Sequence, residues 1–225
     1  MVHQCGRRLT AADLCPFASL QLSYLRMKIT GSQTGDAGAR ALAMLKNSTT
    51  LRTLTLDLRG NRVGDAGARA LAMLKDSTTL HTLTLNLGGN GIANTGAQAL
   101  AMLKDSTTLC SLTLGLPRDT IGGYDRRAAS TLNQACNMIC DAGAQALAAL
   151  KDSTTLRTLT LDLTCNRIED AGAHALAMLK DSTTLRTLSL KLGGNNIAAG
   201  GAQALAMLGH STTLRHSLDL RGNLS

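Results

Sequence analysis

The chain has 225 residues, a net charge of +8 and only 1% aromatic residues, with no Trp. That length suffices for one sizeable domain, but so few rings argue against a single globular core. The first residues, MVHQCGRRLTAADLC, lack the apolar segment of a secretory leader. No apolar run reaches the roughly 18–20 residues of a membrane span, so a cytoplasmic chain with reduced cysteines and no membrane contact is expected.

Residues 1–34 read as a degenerate first repeat that caps the N-terminus. Leu22, Leu25, Met27, Ile29 and Gly31 each lie 29 positions before Leu51, Leu54, Leu56, Leu58 and Gly60. Phe17 and Pro16 bring bulk suited to covering a terminal layer. For residues 1–10 a leader without structure is the alternative.

Clean repeats fill residues 35–225. Gly35–Val63 matches Gly64–Ile92 at 23 of 29 positions, and Cys140–Ile168 matches Glu169–Ile197 at 21 of 29. Self-similarity at this period marks a solenoid. Within each unit, the half typified by Asp65–Lys75 predicts a short helix, with Leu71 and Leu74 on one face and Asp65 as its N-cap. A Gly recurs in the first turn, at 38, 67, 96, 143, 172 and 201. Gly there costs about 1 kcal/mol against Ala, so close approach of helix to strand is the expected reason. The DSTT segment then ends the helix by bonding its own backbone.

The second half, Leu51–Val63, alternates. Leu54, Leu56 and Leu58 face one way; Thr53, Thr55, Asp57 and Arg59 face the other, as in a strand with one buried face. Gly60 permits a bend, followed by an Asn that recurs as Asn61, Asn90, Asn137, Asn166, Asn195 and Asn223. Stacked amides can satisfy the bend layer by layer, so a buried Asn ladder is expected. A turn Asn facing water is the alternative.

Leu-x-x-Leu-x-Leu-x-Leu-x-x-Asn followed by Gly-Asp-Ala-Gly-Ala-x-Ala-Leu resembles the leucine-rich repeats of the ribonuclease-inhibitor-like class, over about residues 20–225. Similar repeats occur in NOD-like receptors and in Ran GTPase-activating protein. The resemblance implies an α/β leucine-rich-repeat solenoid, a horseshoe with a parallel sheet on the concave face and short helices on the convex face. Two residues are added before the Asn and the helix half is about one residue short, so a longer strand and a compact helix are expected.

An insertion at about 117–134 interrupts the array and lengthens one repeat from 29 to 47 residues. It carries Tyr124, Arg126 and Arg127, which a protruding contact loop could present; a tolerated insertion without a role is the even alternative. The chain ends at RGNLS, leaving the last strand, Ser217–Leu220, without a capping helix. Truncation, continuation in a partner, or end-to-end self-association are the readings of that edge.

No catalytic constellation emerges, so the chain is not read as an enzyme and no cofactor is implied. His3, His81, His174, His210 and His216 occupy different repeat columns. Cys136 and Cys165 share a column, but a fourth zinc ligand is missing and a small thiol at the bend is the simpler reading. The Gly-Gly-Asn segments lack the Lys of a phosphate loop.

What varies lies on the outward strand face. One column runs Asp57, Asn86, Gly115, Asp162, Lys191, Asp219; the next begins with Arg59. Before the strands runs a broken basic rim of Arg52, His81, Cys110, Arg157, Arg186 and Arg215. Among them Arg52, Asp57, Arg59, His81, Asn86, Arg157, Asp162, Arg186, Lys191 and Arg215 are the partner-binding candidates of a non-catalytic protein-interaction scaffold, and the Arg rim suits an acidic protein. Nucleic acid is disfavoured because no stacking aromatics interleave the basic residues. Two alternatives stand beside this: a truncated or recently duplicated array with no dedicated ligand, and, by resemblance alone, a regulator of a small GTPase.

Overall fold

The computed structural model describes residues 2–4, 21–118 and 136–224. Tyr124, Arg126 and Arg127 lie outside them. Among the described residues the chain forms one sheet of eight parallel strands in sequence order. The strands are β1 (Val2–Gln4), β2 (Tyr24–Lys28), β3 (Thr53–Asp57), β4 (Thr82–Asn86), β5 (Ser111–Gly115), β6 (Thr158–Asp162), β7 (Thr187–Lys191) and β8 (Arg215–Asp219). Between β2 and β8 each connection crosses the back of the sheet through a helix: α1 (Gly35–Ala43), α2 (Asp65–Ala72), α3 (Asn94–Ala101), α4 (Asp141–Ala148), α5 (Asp170–Ala177) and α6 (Ala199–Ala206). A four-residue 3₁₀ turn, such as Met73–Asp76, continues each helix.

This is an α/β leucine-rich-repeat solenoid. Its register follows the repeat: Leu54 pairs with Leu83 and Leu56 with Leu85. Across the insertion, Leu112 still pairs with Leu159. One layer buries Leu54, Leu56, Leu58, Val63, Leu71, Leu74 and Leu80 almost completely, and the same columns form one continuous core. Each buried Leu is worth about 1.5–3 kcal/mol relative to exposure. A layer too thin to hide its own leucines is therefore stable only when stacked.

Three side-chain ladders tie the layers together. At the bend, Asn90 Oδ1 accepts the amides of Asn61 (2.8 Å) and Val63 (3.1 Å), and its Nδ2 donates to Leu58 O at 2.8 Å. Asn137, Asn166 and Asn195 repeat the pattern; Asn166 accepts from Ile139 N and donates to Leu116 O, both at 3.0 Å. Asn223 does so in the last layer. Asn61 reaches back to Ile29 O and accepts from Ser32 N, so residues 21–34 share the arrangement. Before the strand, Ser77 Oγ accepts from Leu80 N within its own layer, while Thr79 Oγ1 donates to Ser48 O and Leu51 O of the previous one.

The third ladder differs from the sequence reading. Asp65 is not the N-cap of its own helix. Gly64 holds that position, with no side-chain capping bond, and Asp65 is the first helical residue. The caps act across layers: Asp36 Oδ1 accepts Gly64 N at 2.8 Å and Gly67 N at 2.9 Å. Asp65 does the same for Ala93 N, Asn94 for Cys140 N and Gly143 N, Asp141 for Glu169 N, and Asp170 for Ala198 N.

This geometry also corrects the expected reason for the recurrent Gly. A Cβ on Gly67 would lie 2.6 Å from Asp36 Oδ1 and 2.6 Å from Val63 Cγ1. The close approach is therefore to Asp36 of the neighbouring helix and to Val63 at the bend, two residues before Asp65, not to the strand.

Two further differences concern the strands. Regular strand covers five residues rather than a longer run. Inter-layer amide bonding nevertheless continues past it, through Leu58 N to Asn86 O (2.8 Å) and Gly60 N to Gly88 O (3.0 Å). In the last layer the strand is Arg215–Asp219 rather than Ser217–Leu220. One residue fewer separates it from β7, so Arg215 pairs with Thr187 and His216 stands opposite Leu188.

Candidate functional site

Alternation on a parallel sheet sends every second residue away from the core. The outward columns start at Tyr24, Arg26 and Lys28 on β2 and continue through Thr53, Thr55 and Asp57 on β3. Those three β2 residues are exposed, Tyr24 to 46%, and the sequence reading omitted them. Their signal is the same 29-residue offset that aligns Leu25 with Leu54, which sets Arg26 opposite Thr55 and Lys28 opposite Asp57.

The next layers carry Asn86 and Gly115, then Asp162, Lys191 and Asp219. Asp57 is 9% exposed, and Arg59 Nε and Nη2 each donate to its carboxylate at 2.8 Å. Burial pushes the Asp57 carboxyl up; the Arg59 hydrogen bonds and charge, aided by Lys28, outweigh it and hold the group below the usual carboxylate range. Arg221 grips Asp219 through the same fork at 2.9 and 2.7 Å, holding that exposed carboxyl down to about 2. Asp162 accepts the Thr164 hydroxyl at 2.6 Å and lies 3.5 Å from Lys191 Nζ.

Beside the strand starts, Arg52, His81, Cys110, Arg157 and Arg186 stack in one exposed column. Each of the last four donates its amide to the carbonyl of the residue before it, at 2.8–2.9 Å. Arg215 continues the chain of bonds to Arg186 O at 2.9 Å, but its register partner is Thr187. The shortened last layer therefore moves Arg215 off the rim and into the first strand column.

Both faces carry ion pairs. On the helix side, Lys75, Lys104, Lys151 and Lys180 each lie within 2.9 Å of the Asp that follows, and Lys46 lies 3.0 Å from Asp76. On the strand side Arg59, Lys191 and Arg221 are paired with Asp57, Asp162 and Asp219, while Arg26, Lys28, Arg52, Arg157 and Arg215, like Arg40 and Arg69 on the helix side, form no such pair among the described residues.

The remaining candidates do not converge. His81 precedes β4, His174 lies on α5 with Nδ1 2.7 Å from Asp170 O, His210 ends a 3₁₀ turn and His216 is on β8. Cys110, Cys136, Cys140 and Cys165 are free thiols. Among the described residues no group of three His, Cys, Asp or Glu is arranged to hold a metal. No helix among them is long and apolar enough to cross a membrane.

The family described as Leucine Rich repeat matches residues 48–72, 79–101, 153–177 and 181–206. No curated protein matches the chain. Among solved structures, leiomodin-1 actin-binding site 2 is 20% identical with a TM-score of 0.46, covering 76% of this chain and 88% of that one. An internalin from Listeria monocytogenes str. 4b F2365 is 20% identical with a TM-score of 0.47, covering 97% of this chain and 53% of that one, about half its length. The four matched segments fall within layers that each add one parallel strand and one helix to a single stack, so the chain carries matched leucine-rich repeats built into one solenoid.

Proposed function

We propose that this chain is a non-catalytic scaffold of the ribonuclease-inhibitor-like repeat class, set in the reducing cytoplasm, that binds an acidic protein through its strand face and Arg rim. The observation that supports the reading is the excess of cations on the strand side. Arg26, Lys28, Arg52, Arg157, Arg186, Lys191 and Arg215 stand there with only Asp57, Asp162 and Asp219 among the described outward strand and rim positions, whereas helix-face lysines are matched by adjacent aspartates. A face with an excess of one sign steers an oppositely charged partner and raises its association rate. Tyr24 is the one ring among the described outward strand positions, which leaves polar contacts to carry the interface.

The test is fluorescence anisotropy with a labelled synthetic peptide of about twelve residues, half of them Glu, long enough to span ~40 Å when extended. Binding should weaken with salt. It should fall at least tenfold in Arg157→Glu/Arg186→Glu and stay within about twofold in the helix-face variant Lys104→Glu/Lys151→Glu, since exposed charges act locally once screened. Equal loss from both faces, or no binding by the parent chain, would refute the reading.

A further inference from the structure

We infer that the acidic partner is an extended peptide segment with two acidic clusters separated by an uncharged stretch, lying across the strands. This rests on the reading of the strand face above. The positive charge there is not continuous. One group comprises Arg26 and Lys28 on β2 and Arg52 beside β3. The other comprises Arg157 beside β6, Arg186 at β7 and Arg215 on β8, with Lys191 on β7 partly engaged by Asp162.

Between them lie β4 and β5, whose outward strand positions are small and uncharged: Thr82, Thr84, Asn86, Ser111, Thr113 and Gly115; the exposed Arg118 of that layer lies past the strand end, at the bend. Gly115 is buried, and a Cβ there would meet Asn86 Oδ1 at 3.1 Å. The centre is therefore a shallow saddle of hydroxyls and backbone.

The register runs unbroken from β3 to β6. Three strand steps of about 4.8 Å separate the groups by roughly 14 Å. That exceeds the ~8 Å screening length at physiological ionic strength, so the two groups act as separate sites. An extended chain advances about 3.3 Å per residue, so four to six residues bridge the gap. A uniformly anionic rod would set its central carboxylates over β4 and β5, where the outward strand positions offer no counter-charge. With Tyr24 as the one ring among the described outward strand positions, these positions offer no run of stacking platforms for bases. A peptide with spaced carboxylates fits both facts.

The experiment compares two labelled peptides of identical composition. In one, two Glu triplets flank about five Gly/Ser residues, matching the ~14 Å gap; in the other the Glu residues are contiguous and the spacer trails. The split peptide should bind about tenfold or more tightly, because the second cluster binds at high effective concentration. Arg26→Glu/Lys28→Glu should abolish that advantage, as should Arg157→Glu/Arg186→Glu at the other end, with circular dichroism and urea unfolding confirming both folds.

Equal or tighter binding of the contiguous peptide overturns the two-cluster inference and leaves the acidic-partner reading standing. Failure of both peptides to bind overturns both. Tighter binding by a single-stranded oligonucleotide of equal charge at the same salt replaces the peptide with nucleic acid.

Discussion

Asp36 Oδ1 accepts the Gly67 amide at 2.9 Å, joining the first turn of one helix to the first turn of the next. The bond exists only because residue 67 has no side chain. A Cβ there would sit 2.6 Å from that same oxygen. Gly→Ala within a helix ordinarily stabilises by about 1 kcal/mol. For Gly67→Ala the sign should reverse, with a loss of about 1–3 kcal/mol from overpacking and the displaced cap. Gly209→Ala is the control: its Cβ meets only the His216 ring, at 3.8 Å, and should be neutral or slightly stabilising. Urea unfolding of the two variants checks the contrast.

Asn166 holds together backbone groups from two layers, accepting Ile139 N and donating to Leu116 O and Leu163 O, each at 3.0 Å. Replacing it with Ala leaves buried donors and acceptors without partners, at about 1–3 kcal/mol for each unsatisfied group. Asn166→Ala should therefore cost roughly 3 kcal/mol or more. Asn223→Ala, in the partly exposed last layer, should cost less because water reaches its partners. Chemical denaturation of both variants gives the ranking.

The strand face, the buried leucine columns and the Asn positions are legible because each depends on residues close in sequence. Leu54, Leu56 and Leu58 alternate, and Asn61 follows a Gly at fixed distance. The Asp ladder is not local. Asp36 and Gly64 are 28 residues apart, and Asp65 looks like an ordinary cap until the layers are stacked. The place of Arg215 depends on a single missing residue that moves the register without changing the motif. Tyr24, Arg26 and Lys28 escaped notice because the degenerate first layer keeps its inward pattern while its outward residues resemble no later repeat.

Asp57 makes the strand face sensitive to acid. Its carboxyl ionises more readily folded than its ordinary value of 3.8 would allow. A depressed folded-state pKa gives stability that is fully present above the unfolded value and lost as pH falls through the folded one. At neutral pH, Asp57→Asn should lower stability by about 1 kcal/mol, a half-exposed Arg59 keeping the figure modest. The gap between parent and variant should narrow as pH drops below ~3.8. Thermal melts across that range would show a constant gap if the Asp57–Arg59 pair contributes nothing.

Cys165 occupies a left-handed backbone position, with φ of 58°, where other layers use Gly60 at 65°, Gly89 at 63° and Gly194 at 68°. A non-glycine residue there carries roughly 1 kcal/mol of strain. Cys165→Gly removes the strain but frees the unfolded chain, so it should be neutral to about 1 kcal/mol stabilising. Cys165→Val, branched beside the backbone, should lose about 1–2 kcal/mol. The neighbouring layer provides a second test, because a Cβ on Gly194 would lie 3.0 Å from Cys165 Sγ. Gly194→Ala should therefore destabilise through both its φ and that contact. In the double variant Cys165→Gly/Gly194→Ala only the φ penalty remains, so the two changes should couple favourably by about 0.5 kcal/mol or more in a double-mutant cycle. Strict additivity would show that the bend relaxes around the thiol instead of packing against it.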